Sequence, residues 1–145
     1  MTLEAEKILI VDDDRDFVEA VSTFLEVHHY VVLKAYDGKE ALQLARMEHP
    51  DLILMDVIMR ERTEGFFTVQ EIRRVPELKT VPIFIVSSLY SQIPDFRITP
   101  NKSWLAHDDF LPKPVDMAEL LEKIQRRMEA PHRNPETPVG RKAET

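Results

Sequence analysis

Three aspartates stand at the ends of short apolar runs. Asp12 and Asp13 follow Ile8-Leu9-Ile10-Val11, and Asp56 follows Leu52-Ile53-Leu54-Met55. Two further runs end in a hydroxyl and an amine: Ile83-Phe84-Ile85-Val86 leads into Ser87, and Phe110-Leu111-Pro112 into Lys113. A strand that stops abruptly at a carboxylate leaves that charge at the rim of a sheet, outside the core. If the four runs are parallel neighbours, three acids, a serine and a lysine converge on one edge. Carboxylates gathered in this way repel one another and need a cation. An all-oxygen donor set completed by water suits Mg²⁺ better than the softer metals. Two acids can hold the ion while one attacks phosphorus to give an acyl phosphate. The ion and the Lys113 ammonium would neutralise charge on the transferring group, and Ser87 would donate a hydrogen bond to a phosphoryl oxygen.

The elements that must position these groups alternate between strand-like and helix-like patterns. Lys7 to Val11 reads as a buried strand. Phe17, Val18, Val21, Phe24 and Leu25 recur at helical spacing behind Asp14, a candidate N-cap. Tyr30 to Ala35 reads as a second strand, and Asp37-Gly38 as a turn into a helix that stops before Pro50. Leu52 to Met55 is the third strand. A third helix runs from about Phe66 to Val75 and ends at Pro76, and Pro82 precedes the fourth strand. Between Leu89 and His107, Pro94 and Pro100 forbid one continuous helix, so a loop and at most two helical turns are expected. Asp109 to Leu111 is a short fifth strand. The last helix carries one apolar stripe, Met117, Leu120, Leu121, Ile124 and Met128, with Asp116 as its cap. Glu119 with Lys123 and Glu122 with Arg126 are spaced as i,i+4 pairs.

Five strands alternating with helices predict an α/β fold, a doubly wound parallel sheet covered on both faces. In such sheets ligands bind beyond the carboxyl ends of the strands, where the acids lie. The composition agrees with one compact domain: 145 residues, 43% of them hydrophobic. The net charge of −7 argues against general nucleic-acid or membrane-surface binding. With no cysteine there is neither a disulfide framework nor a thiolate metal site. No apolar run approaches the roughly 20 residues that span a bilayer, and the acidic start is unlike a signal peptide, so a cytoplasmic protein is expected. Residues 131–145, rich in proline and poor in large apolar side chains, read as a disordered tail or linker stub after a domain spanning 1–130. The histidines at 28, 29, 49, 107 and 132 show no ligand spacing and read as surface or helix-end residues. Arg73 and Arg74 read as a solvated face, and Trp104 as a part-buried packing residue.

Taken together these landmarks resemble a response-regulator receiver domain of the CheY-like, flavodoxin-like class over about residues 6 to 130. The resemblance rests on Asp12-Asp13, Asp56, Ser87 and Phe110-Leu111-Pro112-Lys113-Pro114, in that order and at those strand ends. It implies a strand order of 2-1-3-4-5 and a cis bond between Lys113 and Pro114. It also implies that Asp56 is the phosphoacceptor and that Mg²⁺ is bound by Asp13, Asp56 and the Ile58 backbone carbonyl, with Asp12 acting through water. Lys113 would contact the phosphoryl group, and Ser87 and Phe110 would be the switch residues. The donor would be a histidine kinase or a histidine phosphotransfer protein. The chain would catalyse only its own phosphorylation and dephosphorylation, and would act on a downstream protein or a further domain without contacting nucleic acid or membrane. A homodimer is compatible with this reading.

The sequence departs from the family pattern at several points. Met59-Arg60 stands where the family has Met-Pro, and the loop before Gly65 is one residue longer. The stretch from Ser87 to Lys113 is longer by about four residues and predicts an altered fourth helix. Two rival functions fit less well. For a haloacid-dehalogenase-type phosphohydrolase with Asp12 as nucleophile, Asp16 replaces the usual Thr or Val, and Asp108-Asp109 precedes a strand where that family's acid pair follows one. A receiver-like adaptor that binds partners without phosphorylation would need none of the acids. Ile58 and Leu89 occupy the positions that tune dephosphorylation in the family, and both are apolar. Neither orients a water, so a long-lived phosphorylated form is expected. Ile58→Asn or Leu89→Glu should shorten its lifetime in a label-decay assay, and unchanged decay in both variants would refute a shielding role.

Overall fold

The structure, a computed structural model, describes residues 5–57, 64–88 and 108–129. The chain runs β1 (Lys7–Val11), α1 (Arg15–Val27), β2 (Val31–Ala35), α2 (Gly38–Glu48), β3 (Leu52–Met55), α3 (Glu64–Arg74), a 3₁₀ turn (Pro76–Leu78), β4 (Ile83–Ser87), β5 (Asp109–Pro112) and α4 (Met117–Glu129). The strands form one parallel sheet in the order β2-β1-β3-β4-β5. This is the doubly wound, flavodoxin-like sheet that the sequence predicts. The expected altered helix between β4 and β5, Trp104 and the proline-rich tail lie outside the described residues. Among those residues no helix is long and apolar enough to cross a membrane.

Alternation along each strand sends successive side chains to opposite faces, and each face has its own core. Leu9, Val11, Ile53, Met55, Ile83 and Ile85 pack with Val69 and Ile72 of α3 and Ala41 and Ala45 of α2. Ile8, Ile10, Leu52, Leu54, Phe84 and Val86 pack on the other face with Val18, Val21 and Leu25 of α1 and Leu120 and Ile124 of α4. Each large aliphatic side chain so buried contributes about 1.5–3 kcal/mol. With both faces covered, a continuous apolar run is what a central strand here requires.

α1 and α4 begin at the expected caps, Asp14 and Asp116, and α2 begins at Asp37, which the sequence marks only as part of a turn. The Asp14 carboxylate accepts from the Phe17 N–H, and Asp37 accepts from the Glu40 N–H. Asp116 accepts from the backbone N–H groups of Ala118 and Glu119. His28 and His49 are the C-caps of α1 and α2, as expected of helix-end residues. The element ends differ from the expectation in small ways. β5 continues through Pro112, which an edge strand tolerates because its outer side needs no ladder donor. Pro76 ends α3 and also opens the 3₁₀ turn.

Two side-chain readings need correction. Lys123 turns to Asp109 at the start of β5 (3.2 Å) and not to Glu119. The Glu122–Arg126 pair forms as expected, at 2.6 Å. Arg73 is no solvated residue. Its guanidinium donates to the carbonyls of Leu78, Lys79 and Val81 and pairs with Asp108 at 3.2 Å. Asp108 also accepts from the Ile83 N–H, so a single arginine ties α3 to the starts of β4 and β5. Arg73→Ala leaves three carbonyls and a carboxylate short of a donor. It is expected to cost about 2–3 kcal/mol, read as a lower urea midpoint, whereas the exposed Arg74→Ala should stay within about 0.5 kcal/mol.

Candidate functional site

The strand register brings the acids together. Val11 pairs with Met55 in the β1–β3 ladder, so the residues that follow both strands emerge side by side. The backbone continues this order past the strands: the Asp12 N–H donates to Ala35 and the Asp56 N–H to Val11. On the far side of β3, the Lys113 N–H donates to the Ser87 carbonyl at 3.0 Å. The Lys113–Pro114 peptide is cis, as the resemblance implied.

One carboxylate oxygen from each of Asp12, Asp13 and Asp56 lies within 4.8 Å of the others. Asp12 and Asp56 are buried and Asp13 is half-exposed. The Lys113 ammonium reaches across the group, 2.7 Å from Asp12 Oδ2 and 3.4 Å from Asp56 Oδ2. The other Asp12 oxygen accepts from the Asp14 N–H at 2.9 Å. Three converging carboxylates are a donor set for a hard divalent cation, and they fit Mg²⁺ in charge and chemistry.

Burial and the nearby Asp56 charge push Asp12 up to about 6, against the pull of Lys113 and the Asp14 N–H. Burial works to lower Lys113, but its hydrogen bond to Asp12 and the Asp56 charge outweigh that and raise it. The two groups thus hold each other, and the acid cluster remains over-full of negative charge.

Ser87 ends β4 with its hydroxyl fully buried and, among the described residues, without a hydrogen-bond partner. A buried hydroxyl left unpaired costs about 1–3 kcal/mol, so the site holds a donor in reserve. Phe110 is paired with Ile85 and packs on the α2–α3 face of the sheet. Ser87, two residues beyond Ile85, points to that same face. Ile58 and Leu89 lie outside the described residues.

Two contributors were invisible as site residues in the sequence. Gly65, at the start of α3, lies so close to the segment after β3 that a Cβ there would collide with Val57 Cα and the Asp56 carbonyl. Phe17, counted only as an apolar helix position, places its ring 4.3 Å from Lys113 Nζ. Nothing local in the sequence marks either contact.

The chain matches the family described as the response regulator receiver domain over residues 8–125. It therefore belongs to the receiver domains of two-component response regulators. PilH of Pseudomonas aeruginosa is 34% identical over 121 residues, covering 81% of this chain and 93% of that protein. The probable transcriptional regulator ycf27 of Porphyridium aerugineum is 35% identical, covering 85% of this chain but 48% of its own length. RpaA of Synechocystis, a DNA-binding transcriptional regulator, is 36% identical with 82% and 47% covered. The chain thus spans about half the length of several curated relatives that it matches. Among solved structures, chemotaxis protein CheY4 of Vibrio cholerae superposes with a TM-score of 0.71 at 31% identity, covering 84% of this chain and 98% of that one. A two-component response regulator of Clostridium difficile gives 0.68 at 27% identity, with 86% and 99% covered.

The charge balance of the site makes a pH prediction. Between the ordinary 3.8 of an aspartate and about 6, the folded state binds more protons at Asp12 than the unfolded chain does. Stability of the metal-free domain therefore falls as pH climbs through that window. Asp12→Asn should raise metal-free stability at pH 7 by roughly 1–3 kcal/mol, and the gain should vanish near pH 4. Urea unfolding in EDTA across that range decides it; a destabilised Asn variant at pH 7 would mean that the Lys113 pair outweighs the repulsion.

Proposed function

We propose that this domain is a phosphoacceptor switch in which Asp56 takes a phosphoryl group from a phosphohistidine donor. The observation that carries this reading is the Lys113 ammonium spanning Asp12 and Asp56 beside a third carboxylate. A lone surface acid would need no such partner. An Asp56 oxygen attacks phosphorus, the P–N bond to the donor imidazole breaks, and its electron pair returns to the ring nitrogen. Asp13, Asp56 and the Ile58 carbonyl would hold Mg²⁺ directly, and Asp12 through water. The engagement of both Asp12 oxygens, one by Lys113 and one by the Asp14 N–H, supports that indirect role. When bound, the ion supplies positive charge to the oxygens of the transferring group.

The residues of the chain do the rest. Lys113 moves its hydrogen bonding from carboxylate to phosphoryl oxygen and offsets the charge that develops there. The phosphorylated aspartate brings added negative charge and new acceptors, and the Ser87 hydroxyl, without a partner among the described residues, is suited to donate to one of them. Movement of Ser87 would vacate space on the face that Phe110 shares, shifting the domain between two packings. The output passes through a protein surface, either to a separate partner, as the near-complete match to PilH allows, or to a further domain, as the greater length of other relatives allows. The chain turns over no substrate beyond its own phosphorylation and dephosphorylation.

Intact mass after incubation with Mg²⁺ and a small phosphodonor tests the reading. Wild type should gain one phosphoryl group and Asp56→Asn none, while Asp12→Asn should label more slowly. An adduct that persists in Asp56→Asn sinks the assignment, and no adduct on wild type from either a small donor or a phosphohistidine protein favours an adaptor that works without phosphorylation.

A further inference from the structure

The Asp14 cap has an effect beyond starting a helix. By accepting from the Phe17 N–H at 3.1 Å, it fixes Phe17 in the first turn of α1, next to the acid pair. The half-buried Phe17 ring then lies over Lys113, with the ammonium 4.3 Å from the ring centroid. That is well inside the range in which a ring quadrupole attracts a cation. We propose that Phe17 is a positioning residue for phosphoryl transfer, holding the Lys113 ammonium between Asp12 and Asp56 through its ring face. The inference rests on the phosphoacceptor reading of Asp56 given above.

Lysine carries a point charge on a flexible four-carbon stem with three rotatable donors, so it needs restraint to serve a reaction centre. A third carboxylate would restrain it, but would also compete for the donor protons that a phosphoryl oxygen must receive. The ring face attracts the charge without accepting a strong hydrogen bond. It covers one side of the ammonium and leaves its donors for Asp12 and Asp56, at 2.7 and 3.4 Å. Lys113 can then exchange a carboxylate for a phosphoryl oxygen without leaving its seat. Asp12 and Asp14 are joined by the hydrogen bond from the Asp14 N–H, so the loop that presents the acids also sets the ring.

The test compares Phe17→Leu, which keeps apolar bulk without a π face, with Phe17→Tyr, which keeps both. Phosphorylation rates are measured over a range of phosphoramidate concentrations at saturating Mg²⁺. Phe17→Leu should lower the limiting rate constant roughly five- to twentyfold, with half-saturation by donor little changed, and Phe17→Tyr should stay within about twofold of wild type. The Lys113 ε-methylene protons should be shifted upfield by the ring current in wild type and the Tyr variant, and lose that shift in Phe17→Leu. If Phe17→Leu does not fold, Phe17→Met carries the same comparison. A Leu variant as fast as wild type, or a Tyr variant as slow as Leu, overturns the positioning role while leaving Asp56 as acceptor. Wild type that takes up no phosphoryl group from phosphoramidate or from a phosphohistidine protein overturns the underlying reading and this inference with it.

Discussion

Asp12, Asp13 and Asp56 are brought together by backbone pairing that is indifferent to their charge. The N–H groups of Asp12 and Asp56 complete ladders begun by apolar residues, donating to Ala35 and Val11. Hydrophobic burial on both faces of the sheet drives that assembly, and the repulsion among the acids is its cost. Lys113 offsets part of the cost from across the sheet, which raises its own affinity for a proton and still leaves Asp12 reluctant to ionise. The site is therefore held in tension by the fold. Any divalent cation that enters finds charges already gathered, with the entropy of gathering them met by the core.

Much of this organisation was legible in the sequence because the signals are local. Val11 before Asp12, and Met55 before Asp56, mark strand ends by contrast alone, and parallel topology does the rest. Asp14 and Asp116 marked helix starts for the same reason: a cap acts within three residues of its own position. The signals that failed are those between elements. Arg73 resembled surface charge because its partner Asp108 is 35 residues away. Lys123 had a plausible partner one helical turn away, and the structure sends it to Asp109 in a neighbouring strand. Phe17 satisfied a helical periodicity that explains its burial and says nothing of the ammonium above its ring. Gly65 could be read as a turn residue, yet what it supplies is the absence of a Cβ against Val57 and the Asp56 carbonyl.

The two ends of the sheet are built to different tolerances. At the carboxyl ends, a buried hydroxyl lacks a partner among the described residues and like charges crowd together. At the amino ends, the polar groups are closely matched: Asp51 accepts from the Lys7 N–H, and Asp108 from the Ile83 N–H. Strain kept at one end of a sheet needs a firm opposite end, because a core packed at crystal-like density transmits displacement and does not absorb it. The divided architecture lets the site be unsettled while the domain as a whole is not.

The clamp of Arg73 and Asp108 also bears on how such a domain diversifies. Because Asp108 is fastened to α3 and to the start of β4, the return of the chain into β5 is set independently of the sequence preceding it. Insertions and substitutions between Ser88 and Asp108 can accumulate without moving Phe110 or Lys113 out of register. The stretch that departs furthest from the family pattern thus ends at a boundary held by two elements. Lineages could vary that stretch while inheriting the acid cluster unchanged.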